Sequence, residues 1–132
     1  MSEDVLREVT LALPMVPDME LEASKTAAAI AESIRMSPDR IDEIRHAVIE
    51  ACINALEYSG AEEVFVTFQV LGDPDPEKLR IMVVDHGIGF SPGDMPKKSK
   101  RGHGLKIMRG LMDEMEIHSG PGGTTVVMSK MR

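Results

Sequence analysis

Hydrophobic and polar positions alternate along the first stretch of the chain. Val5, Arg7, Val9, Leu11 and Leu13 fall on one side, and Leu6, Glu8, Thr10 and Ala12 on the other. That period of two predicts a strand, ended by Pro14. The period then lengthens. After Pro17 and Asp18, residues Leu21, Thr26, Ala27, Ile30, Ala31 and Ile34 recur at roughly helical spacing, so a helix is expected to run to near Met36. Ser37-Pro38-Asp39 marks a second helix start, with a capping serine, a proline at the first position and an acid in the first turn. Its stripe of Ile41, Ile44, Val48, Ala51, Cys52 and Ala55 carries that helix over 38–57, and Ser59-Gly60 stops it.

Beyond this point the pattern returns to strands. Residues 63–71 are rich in Val and Phe, Gly72-Asp73-Pro74-Asp75-Pro76 reads as a turn, and 78–85 forms the next strand. Within it the run Ile81-Met82-Val83-Val84 predicts burial on both faces. Residues 87–104 hold five glycines, two prolines and a basic cluster, which predicts a long loop of the kind that serves function in a small domain. A helix over 105–112 follows, then strands at 114–118 and 124–131 around Ser119-Gly120-Pro121-Gly122-Gly123. The order is β-α-α-β-β-loop-α-β-β. Strands joined by short turns predict an α+β, two-layer sandwich with a mixed, mostly antiparallel sheet and helices on one face. A length of 132 residues suits one domain spanning 1–132.

Composition narrows the function. Fifteen Lys plus Arg against twenty-two Asp plus Glu give a net charge of −7, which argues against a nucleic-acid or anionic-membrane binder. No apolar run reaches the ~18 residues of a membrane helix. The first ten residues carry Glu3, Asp4 and Glu8 and no apolar signal region. Cys52 is the single cysteine, so neither an internal disulfide nor a thiolate cluster can form. A cytosolic protein is expected.

Four places carry candidate chemistry. Glu50 and Asn54 lie four apart on the second helix, about 40° apart on one face. A carboxylate and an amide there can hold Mg²⁺ or a water beside a phosphate, but taken alone, with Glu43, His46 and Glu57 near them, they read first as a solvated face. Asp85-His86-Gly87-Ile88-Gly89-Phe90 ends the strand in a carboxylate able to accept from an exocyclic amine, such as that of adenine. Its glycines permit close backbone approach or simply a tight turn. Lys97-Lys98-Ser99-Lys100-Arg101-Gly102-His103-Gly104-Leu105 brings cations and Gly-x-Gly to a helix start, which favours an anion such as phosphate. Gly122-Gly123-Thr124-Thr125-Val126 enters the last strand, where a threonine can bond a base or a water. Walker A, dinucleotide-fingerprint and EF-hand patterns are all absent.

The order of these motifs is more telling than any one of them. Glu50-Ala51-Cys52-Ile53-Asn54-Ala55, Asp85-His86-Gly87-Ile88-Gly89-Phe90, Gly102-His103-Gly104-Leu105-Lys106-Ile107 and Gly123-Thr124 together resemble the ATP-binding boxes of the Bergerat-fold, histidine-kinase-like ATPases. Gyrase-like and chaperone-like members are much longer, and a histidine kinase needs a separate helical hairpin. Arg101 to Met108 and Met112-Asp113-Glu114 are similar to the anti-sigma-factor serine-kinase family, RsbW-like or SpoIIAB-like. The resemblance implies ATP and Mg²⁺ as cofactors. It implies Glu50 as general base, Asn54 as the Mg²⁺ ligand and Asp85 as reader of the adenine amine. Gly87 and Gly89 would line base and ribose. Arg101, Gly102, Gly104 and Leu105 would cover the phosphates, with Lys97, Lys98 and Lys100 as charge donors, and Thr124 would support Asp85. Tyr58 and Ser59 depart from the family's usual pattern, and His46, His86 and His103 receive no catalytic role. The implied partners are a STAS-domain anti-anti-sigma protein as substrate, a sigma factor and a second copy of the chain in a homodimer. The alternatives are a nucleotide-binding module without catalysis and an RsbT-like kinase acting on a phosphatase.

Overall fold

The computed structural model describes residues 4–87 and 104–132. The elements follow the predicted order: β1 (Val5–Pro14), α1 (Met19–Ser33), α2 (Pro38–Tyr58), β2 (Glu63–Gly72), β3 (Pro76–Asp85), α3 (Gly104–Leu111), β4 (Glu114–Gly120) and β5 (Gly123–Met131). The strands form one sheet in the order β1-β2-β3-β5-β4. All four pairings are antiparallel, so among the described residues the sheet is not mixed. Strand β5 enters between β3 and β4. This places its first residues beside the last residues of β3, with Thr124 opposite Asp85.

The helices pack on one face. Leu13, Val64, Val66, Phe68, Val70, Leu79, Ile81, Val83, Val126 and Met128 point from the sheet into this layer and are buried. On β3 the alternation is strict: Leu79, Ile81 and Val83 are buried, while Met82 and Val84 are half-buried. The expectation of burial on both faces is therefore corrected. No described helix covers the opposite face, where Met82 and Val84 have only cross-strand neighbours such as Thr67, Phe65 and Val127.

Helix α2 is capped as its sequence requires. The Ser37 hydroxyl accepts from the Arg40 amide at 3.3 Å, with Pro38 at the first position. Ile44, Ala47, Val48, Ala51, Cys52 and Ala55 give it a buried stripe against the sheet and both other helices. Helix α1 starts and ends on unusual backbone. Asp18 (φ 77°) precedes it, and it closes at Ser33, earlier than predicted, as the chain turns through Arg35 (φ 63°). Its buried residues are Met19, Ala23, Ser24, Ala27, Ile30 and Ala31, whereas Leu21 is 51% exposed. Leu21 therefore falls outside the stripe to which its hydrophobicity assigned it. Two residues after Met19 it is turned by about 200°, away from the core.

Phe68 sits at the centre of the sheet, paired with Val9 and Ile81 and almost completely buried. Phe68→Ala is expected to lower unfolding free energy by about 3–5 kcal/mol, measured by urea denaturation.

Candidate functional site

Three polar side chains converge in a small, otherwise apolar pocket of about 10 Å³. Its walls are Ala51, Ala55, Val83, Leu105 and Val126, and its polar members are Asn54, Asp85 and Thr124. Asn54, Asp85 and Thr124 are only 4, 5 and 4% exposed. Larger depressions exist, about 180 Å³ around Arg80 and Glu114 and about 400 Å³ beside Phe65 and His86. Both lie more open to solvent, and of their described lining residues Ser129 alone is a buried polar one. A ligand site is marked by buried polar groups set in apolar walls, not by volume.

Asn54 is the most telling of the three. Among the described residues, neither its amide nitrogen nor its carbonyl oxygen has a hydrogen-bond partner, and both atoms are buried. Leaving such groups unpaired costs roughly 1–3 kcal/mol each, which a folded protein retains where something else is to be bound. The amide oxygen is a hard donor suited to Mg²⁺, and the NH₂ can donate to an anionic oxygen. The residues present thus fit a metal–phosphate group. Glu50 lies one helical turn earlier, half-buried and outside the pocket walls.

Asp85 is held by its own turn. One carboxylate oxygen accepts from the Gly87 amide at 3.0 Å. Gly87 has no room for a side chain: a Cβ there would stand 2.0 Å from the Ser59 carbonyl oxygen and 2.3 Å from its hydroxyl. What its bareness admits is therefore Ser59 at the end of α2, a more specific role than the expected lining of base and ribose. Ser59 is itself buried, and its hydroxyl accepts from the Ala61 amide at 3.0 Å. From the other side Gly123 presses on Asp85. With φ 128° and a would-be Cβ 2.0 Å from the Asp85 carbonyl, this position admits only glycine. Thr124 follows, its hydroxyl 2.8 Å from that of Ser119.

The structure thus brings together Asn54, Asp85, Thr124 and Leu105, with Glu50 and Gly87 beside them, and Gly104 begins α3 next to Leu105. Gly89, Lys97, Lys98, Lys100, Arg101 and Gly102 lie outside the described residues. Sequence reasoning missed Ser119 and the contact that Ser59 makes with Gly87. It also missed the steric demand on Gly123, whose Gly-Gly pair reads equally well as a hairpin turn.

The comparisons agree with this geometry. The model of the histidine kinase-like ATPase domain family matches residues 16–130. A serine-protein kinase RsbW of Bacillus licheniformis is 33% identical over 123 residues, covering 80% of this chain and 73% of that one. An RsbW of Bacillus velezensis is 29% identical over 139 residues, covering 92% and 84%. Among solved structures, the RsbU and RsbW domains of a Mycobacterium tuberculosis protein superpose with a TM-score of 0.73 at 22% identity, over 95% of this chain and 32% of that one. The histidine kinase domain of a blue-light activated kinase from Erythrobacter litoralis gives 0.57 at 20% identity, over 98% and 68%. Fold and site thus define a histidine kinase-like ATPase domain. Within that class, the chain belongs to the RsbW-like serine-protein kinase family.

Cys52 lies on the core side of α2, not in the pocket. Burial, with the nearby Glu20 charge adding to it, pushes its thiol from 9.0 up to about 12. A raised pKa keeps the thiol neutral in the folded state. Its contribution to stability is complete below pH 9 and is lost as pH climbs from there toward 12. Native protein at pH 8 is expected to alkylate with iodoacetamide about a thousandfold more slowly than urea-unfolded protein, checked by mass spectrometry.

Proposed function

We propose that this chain is an ATP-dependent serine-protein kinase that phosphorylates a STAS-domain anti-anti-sigma protein and sequesters a sigma factor, acting in the cytoplasm. The observation that carries the reading is the buried, unpartnered amide of Asn54 in the pocket shared with Asp85 and Thr124. The named relatives support it as serine-protein kinases.

Each residue then has a task. Asp85 accepts a hydrogen bond from the exocyclic amine of adenine, oriented by the Gly87 amide. Guanine offers a carbonyl at that position, so a carboxylate discriminates against it. Ala51, Ala55, Val83 and Val126 supply flat apolar walls for the base. Thr124 adds a hydroxyl beside Asp85. Asn54 would hold Mg²⁺ through its amide oxygen, and the ion would supply positive charge to offset that of the phosphates. Glu50, one turn away, takes the proton of the attacking serine hydroxyl or orients it. Lys100, Arg101, Gly102, Gly104 and Leu105 are assigned to the phosphate end, where the N-terminus of α3 also favours anions.

Two substitutions test the assignment. Asp85→Asn is expected to weaken Mg-ATP binding at least about tenfold in calorimetric titration, since a hydrogen bond to a charged group is worth roughly 1.5–3 kcal/mol. Glu50→Ala is expected to leave ATP binding intact and abolish transfer from labelled ATP to a STAS-domain protein. Normal phosphorylation by that variant would remove Glu50 from its role.

A further inference from the structure

One buried charge stands outside the pocket. Lys130, near the end of β5, points into the helix layer opposite Leu79 and is 4% exposed. Its ammonium donates to the carbonyl of Leu111, the last residue of α3, and lies 3.4 Å from a carboxylate oxygen of Glu43 on α2. A buried lysine is costly unless it is paired, and here it has both partners. A cation at a helix C-terminus also complements the negative end of the helix dipole.

The same end of α3 is tied to β5 by backbone. The Asp113 amide donates to the Ser129 carbonyl at 3.0 Å, and the Asp113 carboxylate accepts from the Met131 amide at 2.6 Å. Lys130 adds the link to α2. Helix α3 is only eight residues long, so the position of its C-terminus sets the position of its N-terminus. Leu105, its second residue, lines the pocket that holds Asn54. The other pocket residues come from α2, β3 and β5.

We propose that Lys130 is a positioning residue for the phosphates: by clamping the end of α3 to Glu43 of α2, it aims the N-terminus of α3 at the phosphate side of the Asn54 pocket. The inference rests on the nucleotide reading above and makes a separate claim. The base is read by α2, β3 and β5, whereas phosphate recognition depends on the clamp.

The test is calorimetric titration of wild type, Lys130→Met and Glu43→Ala with Mg-ATP and, separately, with adenosine. Lys130→Met is expected to weaken Mg-ATP about tenfold while adenosine affinity stays within about twofold, because only the anion depends on the helix end. Glu43→Ala, a change at a partly exposed α2 position, is expected to move the same ratio about threefold in the same direction. It decides the matter if Lys130→Met does not fold. An unchanged ATP-to-adenosine ratio, or equal loss of both ligands, overturns the clamp while leaving the nucleotide reading standing. A wild-type protein that binds neither ligand overturns the nucleotide reading, and the clamp with it.

Discussion

Helix α2 has to be core and ligand at once. Its buried stripe of Ile44, Val48, Ala51, Cys52 and Ala55 holds the helix layer to the sheet. Within the same few turns it carries Asn54, an amide buried as deeply as its apolar neighbours and without a hydrogen-bond partner among the described residues. A chain selected only for stability would place an apolar residue there, since each unpaired group costs roughly 1–3 kcal/mol. The rest of the site follows from this constraint. Small residues at Ala51 and Ala55 leave the gap into which Asn54 looks, and the strand ends of β3 and β5 close that gap with Asp85 and Thr124.

The sheet topology makes the convergence possible. Residue Asp85 ends β3, and Thr124 begins β5; only because β5 pairs with β3, ahead of β4, do they stand opposite each other. The contact is then tightened by two positions that bear no side chain. Gly123 lies against the Asp85 carbonyl and Gly87 against Ser59, each so close that a methyl group would collide with backbone. Residue Asp85 is thus held by backbone on both sides: the Gly87 amide bonds its carboxylate, and Gly123 lies against its carbonyl. A hydrogen-bond acceptor meant to distinguish an amine from a carbonyl needs that rigidity.

Most of the architecture was legible in the sequence because period and punctuation agreed. Ser37-Pro38 located the start of α2 to the residue, and Pro14 ended β1 within one. The failures have physical causes. Leu21 was assigned to the core by its hydrophobicity, yet its angular position on α1 points it to solvent. The run in β3 looked buried on both faces because hydrophobicity alone cannot tell a covered sheet face from an open one. At the site, motif order singled out Asn54, Asp85 and Thr124, which the fold brings into one pocket, and Glu50 one turn away. Their supports were not. Ser59, Ser119 and Lys130 act through contacts made only after folding, and a serine or lysine carries no sign in sequence of what it will touch.

The base end and the phosphate end of the pocket are therefore built differently. The base end belongs to α2 and two central strands, pinned by glycine contacts and the antiparallel ladder. The phosphate end depends on a short helix anchored at its far end by one lysine, one carboxylate and the Asp113 turn. A two-ended site of this kind separates recognition from consequence. On the proposed reading, adenine affinity rests on the rigid end. The difference between a nucleoside triphosphate and its diphosphate then falls on α3, whose placement depends on the contacts at its far end.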